Sequence, residues 1–433
     1  MAPHLALAQV APVLAPAATM PAQAVTFRER VVLLVLYVTI LTSSVAIIEP
    51  SPHDGLMGVL AVCCLIAGVK FERKAALLVL LLVVWNVAGL MSLMNVPDDR
   101  TTIQYTATSF YLAIAAIIFT CLFAQNTMPR LAAMRAAYIL TAVVVAIEAA
   151  IGYFHLMPGS DIFLHMDRGS GTFKDPNVFG PFLVWPIMIV MYRVVAQRIA
   201  LRDLVILGIL AIGLFLSFSR GAWVHTGVSL AALLCLMFVA APDGRARMRL
   251  ITLTALCAVV VTLVIVALLS IGSVSEMFAQ RAQVIQYYDV GEGGRFRLQE
   301  LALGAVLDFP NGMGPFEFSR IHGVQQHNVY LQAFMVYGWV GGISYLVLLA
   351  STLLFAFRTV FIKTPWQPYL ITALAAFIGE VAEGAVIDSD HWRHFYLLLG
   401  LLWALAIATT RAVRNDPSLV PAKRTRMSHV RGI

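Results

Sequence analysis

Long apolar runs broken by short polar stretches set the rhythm of this 433-residue chain. A membrane-crossing helix needs roughly 17–25 apolar residues. On that measure the runs predict twelve helices, at 31–48, 55–69, 75–94, 105–124, 132–154, 177–195, 203–218, 221–240, 250–272, 328–357, 367–386 and 394–410. Runs this long exclude a β-barrel, because only a helix keeps such a segment's backbone polar groups satisfied within itself in lipid. The expected fold class is an all-α polytopic membrane protein.

The polar breaks are unequal. Two exceed an ordinary turn, residues 155–176 and 273–326. The longer holds an amphipathic piece from Ser275 to Tyr288, a Gly291-Glu292-Gly293-Gly294 turn, a helix from Arg295 to Phe309 and a Pro310-Asn311-Gly312 turn, which together predict a small helical cap. The chain thus divides into a tail at 1–30, helices one to nine over 31–272, the large loop 273–326, helices ten to twelve over 327–410, and a basic tail at 411–433. It shows no internal repeat and no heptads.

Composition agrees with the pattern: 60% of residues are hydrophobic and 12% charged, against about 25% charged in soluble domains. The net charge of +7 then speaks to sidedness rather than to nucleic acid. With the first tail placed inside, 21 of the 30 Lys and Arg fall in inner connections and 9 in outer ones, and every inner connection holds at least two. Both termini are therefore expected in the cytoplasm. The first 27 residues lack the basic start of a signal peptide and read as a disordered tail. Cys63, Cys64, Cys121, Cys235 and Cys257 all sit in apolar runs, which argues against disulfides and a thiolate metal site.

The chemistry collects on the outer side. Residues 203–240 suffice for two spans and little else, so Ser219-Arg220-Gly221 is the outer tip of a tight helical hairpin. A guanidinium there either snorkels to phospholipid headgroups or clamps a phosphate. Arg295 and Arg297 open the loop helix, where free amides favour an anion, although Glu292 or Glu300 are equally available partners. His327, followed by Asn328, stands where the loop meets the tenth helix; an imidazole can take a proton from a sugar hydroxyl near neutral pH, or simply bond water. Asp388, Asp390, His391, Arg393 and His394 gather between the last two helices, with Glu380 and Glu383 just before. Pairing and positioning suit them better than a divalent metal site. Glu148 reads as the one acid well inside a span, and Gly171 to Asn177 as the entry to the sixth helix, with Lys174 one more outer cation.

Several pieces resemble one family, the membrane glycan transferases of the O-antigen ligase and polymerase superfamily. His327-Asn328 followed by Gly338 and Gly341 is similar to its ligase-type signature; Gly171-Thr172-Phe173 with Pro176-Asn177, Ser219-Arg220-Gly221, and Gly294-Arg295 with Gly312-Met313-Gly314-Pro315-Phe316 resemble its other motifs in the same order. They span 171–342. The resemblance implies inverting, metal-independent transfer, needing no cofactor, from an undecaprenyl-diphosphate-linked glycan to a sugar hydroxyl on the periplasmic face of a bacterial inner membrane. Arg220 with Arg295 or Arg297 would hold the diphosphate and His327 would orient or deprotonate the acceptor; Asn328, Lys174, Asp388, Asp390, His391 and Arg393 would support. Lipopolysaccharide core is the expected acceptor; a polymerase joining carrier-linked repeats is the closest rival. A flippase is a third reading, weakened by the crowding of charges on one face. Membrane lipids are expected partners and nucleic acid is not.

Overall fold

The structure, a computed structural model, describes residues 26–96, 99–197, 199–283 and 294–419. The Gly291-Glu292-Gly293 part of the glycine turn, the end of the Ser275–Tyr288 piece and most of both tails lie outside the described residues. The chain is helical almost throughout: α1 (Phe27–Leu41), α2 (Pro52–Ile66), α3 (Ala76–Ser92), α4 (Arg100–Ala124), α5 (Thr127–Tyr153), α6 (Pro176–Ala196), α7 (Leu201–Leu216), α8 (Arg220–Ala240), α9 (Gly244–Leu269), α10 (Gly272–Arg281), α11 (Arg295–Asp308), α12 (Glu317–His322), α13 (Val329–Thr359), α14 (Gln367–Glu383) and α15 (Arg393–Asn415). A two-residue hairpin, β1 (Leu164–His165) with β2 (Arg168–Gly169), interrupts it.

Twelve helices were expected to span; among the described residues eight are long and apolar enough by length and composition. The four that fall short are α1, α2, α7 and α14, of 15 to 17 residues. At 1.5 Å per residue these reach about 22–26 Å, under the roughly 30 Å of a hydrocarbon core. In each case a turn or a polar capping residue ends the helix inside the run that hydropathy reads as continuous.

Burial sorts the long helices. In α6, 89% of the apolar window is buried and in α15 78%, whereas α9 has 6% and lies at the periphery. α8 packs mainly against α14, α15 against α4, and α13 against α3. Trp85 of α3 stacks on Tyr337 of α13 at 3.7 Å between ring centroids and donates from Nε1 to Ser109 Oγ at 3.1 Å.

Helix α13 is not the straight span that 328–357 suggests. Gly338 has φ 67° and ψ −174°, a conformation essentially reserved for glycine. The loop backbone fills the kink. Trp339 N–H donates to Pro310 O at 2.9 Å, Met313 N–H to Met335 O at 2.7 Å, and Asn95 Nδ2 to Gly312 O at 3.0 Å. The Pro310-Asn311-Gly312 turn is therefore built into the bent helix. Of the three glycines in α13, Gly341, facing Ala88 of α3, makes the close helix contact that a membrane glycine usually serves. The cap is pinned again where Arg320 of α12 pairs with Asp99, the N-cap of α4.

Candidate active site

The chain folds Arg220 into place with short-range chemistry. Helix α7 ends at Leu216, Phe218 turns through φ 44°, and Ser219 Oγ accepts from Ala222 N–H, so that α8 starts on Arg220 itself. This is the tight hairpin tip expected from spacing. Behind it stands a residue that sequence reasoning only counted as an outer charge: Arg168. The hairpin turn at Met166 and Asp167, both at positive φ, carries Arg168 inward until 5% of it is exposed. Its Nε donates to Ser217 O at 2.8 Å and its Nη2 to Asn177 Oδ1 at 2.9 Å. Arg168 thereby ties the start of α6 to the turn that presents Arg220.

Arg168, Arg220, Arg281 and Arg295 line one cavity of about 440 Å³, with His327, Asp388, Asp175, Asn177 and Trp392 also in its wall. Four guanidiniums against two carboxylates make the cavity electropositive and suited to a polyanion, which Arg binds through its planar fork. Arg220 Nη1 also donates to Gln283 O, just past α10, at 3.0 Å. Sequence gave no sign of Arg281; its role depends on how the loop folds back.

Of the two loop arginines, the structure brings Arg295 to the cavity and turns Arg297 away. Two residues on a helix are roughly 200° apart. Arg297 is exposed and pairs with Glu300 at 2.6 Å.

His327 lies across the same cavity. Its backbone holds φ 50°, its carbonyl lies 3.4 Å from Gln299 Nε2, and 42% of its side chain is exposed. Nδ1 faces Asp388 Oδ2 at 3.4 Å. An Nδ1–H directed at that carboxylate would leave Nε2 with a lone pair able to accept a proton. Asn328 caps α13, its Oδ1 accepting from Tyr330 and Leu331 N–H at 3.0 and 3.1 Å, while its own N–H donates to Asp388 Oδ1 at 2.9 Å. Its part is to seat His327 and Asp388 together.

A buried polar chain runs on from Asp388. Gln326 Nε2 reaches Asp388 Oδ1 at 3.3 Å and Gln332 Oε1 at 2.7 Å; Gln332 Nε2 donates to Tyr105 Oη at 3.2 Å, and Tyr105 Oη to Asp390 Oδ2 at 2.7 Å. His391 closes it, Nδ1 lying 3.0 Å from the same Asp390 oxygen. Burial, the largest influence, raises the Asp388 carboxyl above the usual carboxylate range, though His327 and the Asn328 amide oppose it. At Asp390 burial pushes upward too, but the His391 charge, with hydrogen bonds from His391 and Tyr105, outweighs it and holds that carboxyl below the usual range. Two acids two residues apart are thus driven in opposite directions. Tyr105 was not legible as a site residue, since nothing marks a Tyr 285 positions from its Asp partner.

The remaining members of the 388–394 group, and Lys174, go elsewhere. Arg393 pairs with Asp54 at 2.9 Å, Lys174 with Glu49 at 2.9 Å, and His394 Nε2 faces Glu380 Oε1 at 3.4 Å. Among the described residues no three His, Cys, Asp or Glu side chains come together with the geometry of a metal site. Acids in the helices are not confined to Glu148. Glu148 accepts from Thr172 Oγ1 at 3.3 Å, but Glu380 and Glu383, at 1% and 0% exposure, lie in the core, and His225 Nδ1 meets Glu383 Oε2 at 2.8 Å. Glu383 is the last residue of α14, and its pairing with His225, 158 positions away, holds it buried there.

Residues 205–346 match the O-antigen ligase family. The match covers about a third of the chain and supports membership of that family. The matched stretch contains Arg220, Arg281, Arg295 and His327, while Arg168 and Asp388 come from outside it. The family carries ligase-type glycan transfer in a multi-pass membrane setting. Among curated proteins, none matches this chain.

Proposed function

We propose that this protein moves a glycan from an undecaprenyl-diphosphate carrier to a sugar hydroxyl, with lipopolysaccharide core as acceptor, on the periplasmic face of a bacterial inner membrane. The observation that carries the reading is the convergence of four arginines and the His327–Asp388 pair on one cavity. In this reading His327 Nε2 accepts the hydroxyl proton as the acceptor oxygen bonds to the anomeric carbon. The bond from that carbon to the diphosphate oxygen breaks, and the electron pair leaves with the diphosphate. Attack opposite the leaving group inverts the anomeric centre. Charge grows on the departing diphosphate, so Arg220 and Arg295 bind the transition state more tightly than the ground state. Asp388 holds the imidazole in the tautomer that can accept the proton. The chain's own cations supply the charge stabilisation, and the reading assigns no step to a metal or cofactor.

Purified protein supplied with a carrier-linked glycan and core lipid is expected to join them, and His327→Ala to lower the rate by about 10²–10⁴-fold while still inserting in the membrane. Near-normal transfer by that variant would remove the base assignment. Chain growth in the absence of core lipid would replace the acceptor by a second carrier-linked glycan.

A further inference from the structure

Three cations and imidazoles that sequence groups with the arginine cavity do not line it. Lys174, His391 and Arg393 line a second cavity of about 250 Å³ instead. The two cavities adjoin: Asp175, Val178 and Trp392 belong to the walls of both. The second has a mixed lining. Its floor is aromatic, with Phe119, Tyr138, Phe173 and Phe182 drawn from four different segments, and Phe173 and Phe182 lie 5.0 Å apart by ring centroids. Its Lys and Arg are set in ion pairs, Lys174 with Glu49 and Arg393 with Asp54, so it offers donors and acceptors with little net charge.

We propose that this second cavity is the subsite for a sugar ring of the acceptor. The inference rests on the glycan-transfer reading and extends it. A pyranose has an apolar C–H face and a rim of hydroxyls that both donate and accept. Aromatic faces meet the first, and fixed carboxylate, ammonium, guanidinium and imidazole groups meet the second. A diphosphate is excluded, because the cations here are already matched by carboxylates. The volume falls just below the roughly 300–1,000 Å³ of drug-sized sites, which suits a single ring. Trp392, in the shared wall, places that ring beside the cavity that holds His327. The same chemistry serves a ring of core oligosaccharide or of a carrier-linked repeat.

The test uses full-length protein in lipid nanodiscs with carrier-linked glycan as donor. Core lipid is the acceptor in one arm and carrier-linked repeat alone in the other, which identifies the source of the ring. Ala46→Phe, at the rim of the second cavity, reduces its space; Lys174→Met, at a half-exposed side chain, removes a donor without disturbing the core. Each is expected to raise the acceptor KM at least tenfold and leave the donor KM within twofold, which also reports an intact fold. An unchanged acceptor KM in both variants overturns the subsite, as does a rise in donor KM alone, which would hand the cavity to the carrier. Wild-type protein that transfers to neither acceptor refutes the reaction itself, whereas unchanged variants on an active wild type refute only the subsite.

Discussion

Arg220 and Arg297 have the same side chain and the same outer placement in sequence, yet their surroundings give them different weight. Arg220 lines the cavity, so replacing it with Lys keeps the charge but loses the planar fork. Loss of a preorganised donor is expected to cost about 10²–10³-fold in kcat. Arg297 makes an exposed pair with Glu300, of a kind that contributes little, and Arg297→Ala is expected to stay within twofold. Comparing transfer rates of the two variants checks the assignment, and equal losses would contradict it. Asp388 adds a pH dependence. Its carboxyl titrates above the usual range because burial disfavours the charge. A raised carboxyl favours the folded state below the unfolded pKa and loses that contribution as pH rises through the folded pKa. Activity is expected to run the other way: the proposed reaction needs the carboxylate, so falling pH switches it off earlier than for an ordinary Asp. Asp388→Asn is expected to lower the plateau rate at neutral pH and to remove the Asp388 contribution to the acid limb, as read from a pH–rate profile.

At the scale of elements, the bent helix α13 joins the cap to the edge of the arginine cavity. Hydrophobic periodicity predicted this helix as one span, because glycine in a membrane helix gives no signal of which way the backbone turns. The structure needs Gly338 for two reasons: its backbone region is closed to other residues, and a Cβ there would lie 2.6 Å from Pro310 O. Gly338→Ala is expected to cost about 1–3 kcal/mol of local strain and to loosen the Pro310–Phe316 turn, with transfer reduced while His327 and the arginines remain. Limited proteolysis of the loop, faster in the variant than in wild type, is the direct check; unchanged cleavage would mean that the turn does not depend on the kink. The helix hairpin at Arg220 shows the opposite case. There the number of residues left no room for anything but a tight turn, and the structure has one.

For the whole molecule, the charge counts propose a sidedness that can be tested. Met166, 74% exposed in the 155–176 loop, and Arg414, exposed near the end of α15, lie on opposite sides in the proposed topology. Met166→Cys is expected to react with an impermeant maleimide added to spheroplasts, and Arg414→Cys only after lysis; the reverse pattern would invert the protein. By itself the sequence determined the all-α membrane class, the hairpin tip at Arg220, the start of α6 at Pro176 and the candidacy of His327, because each depends on local composition, spacing or a short motif. Its motifs also resemble the family that residues 205–346 match. Tertiary structure alone decided that Arg295 and not Arg297 faces the cavity, that Arg168, Arg281, Tyr105 and Gln332 join the site or its support, and that Lys174 and Arg393 leave it for a second cavity. Those outcomes depend on which helix faces which and where a loop returns. Contacts between residues hundreds of positions apart set them, and no local pattern of apolar and polar residues encodes such contacts.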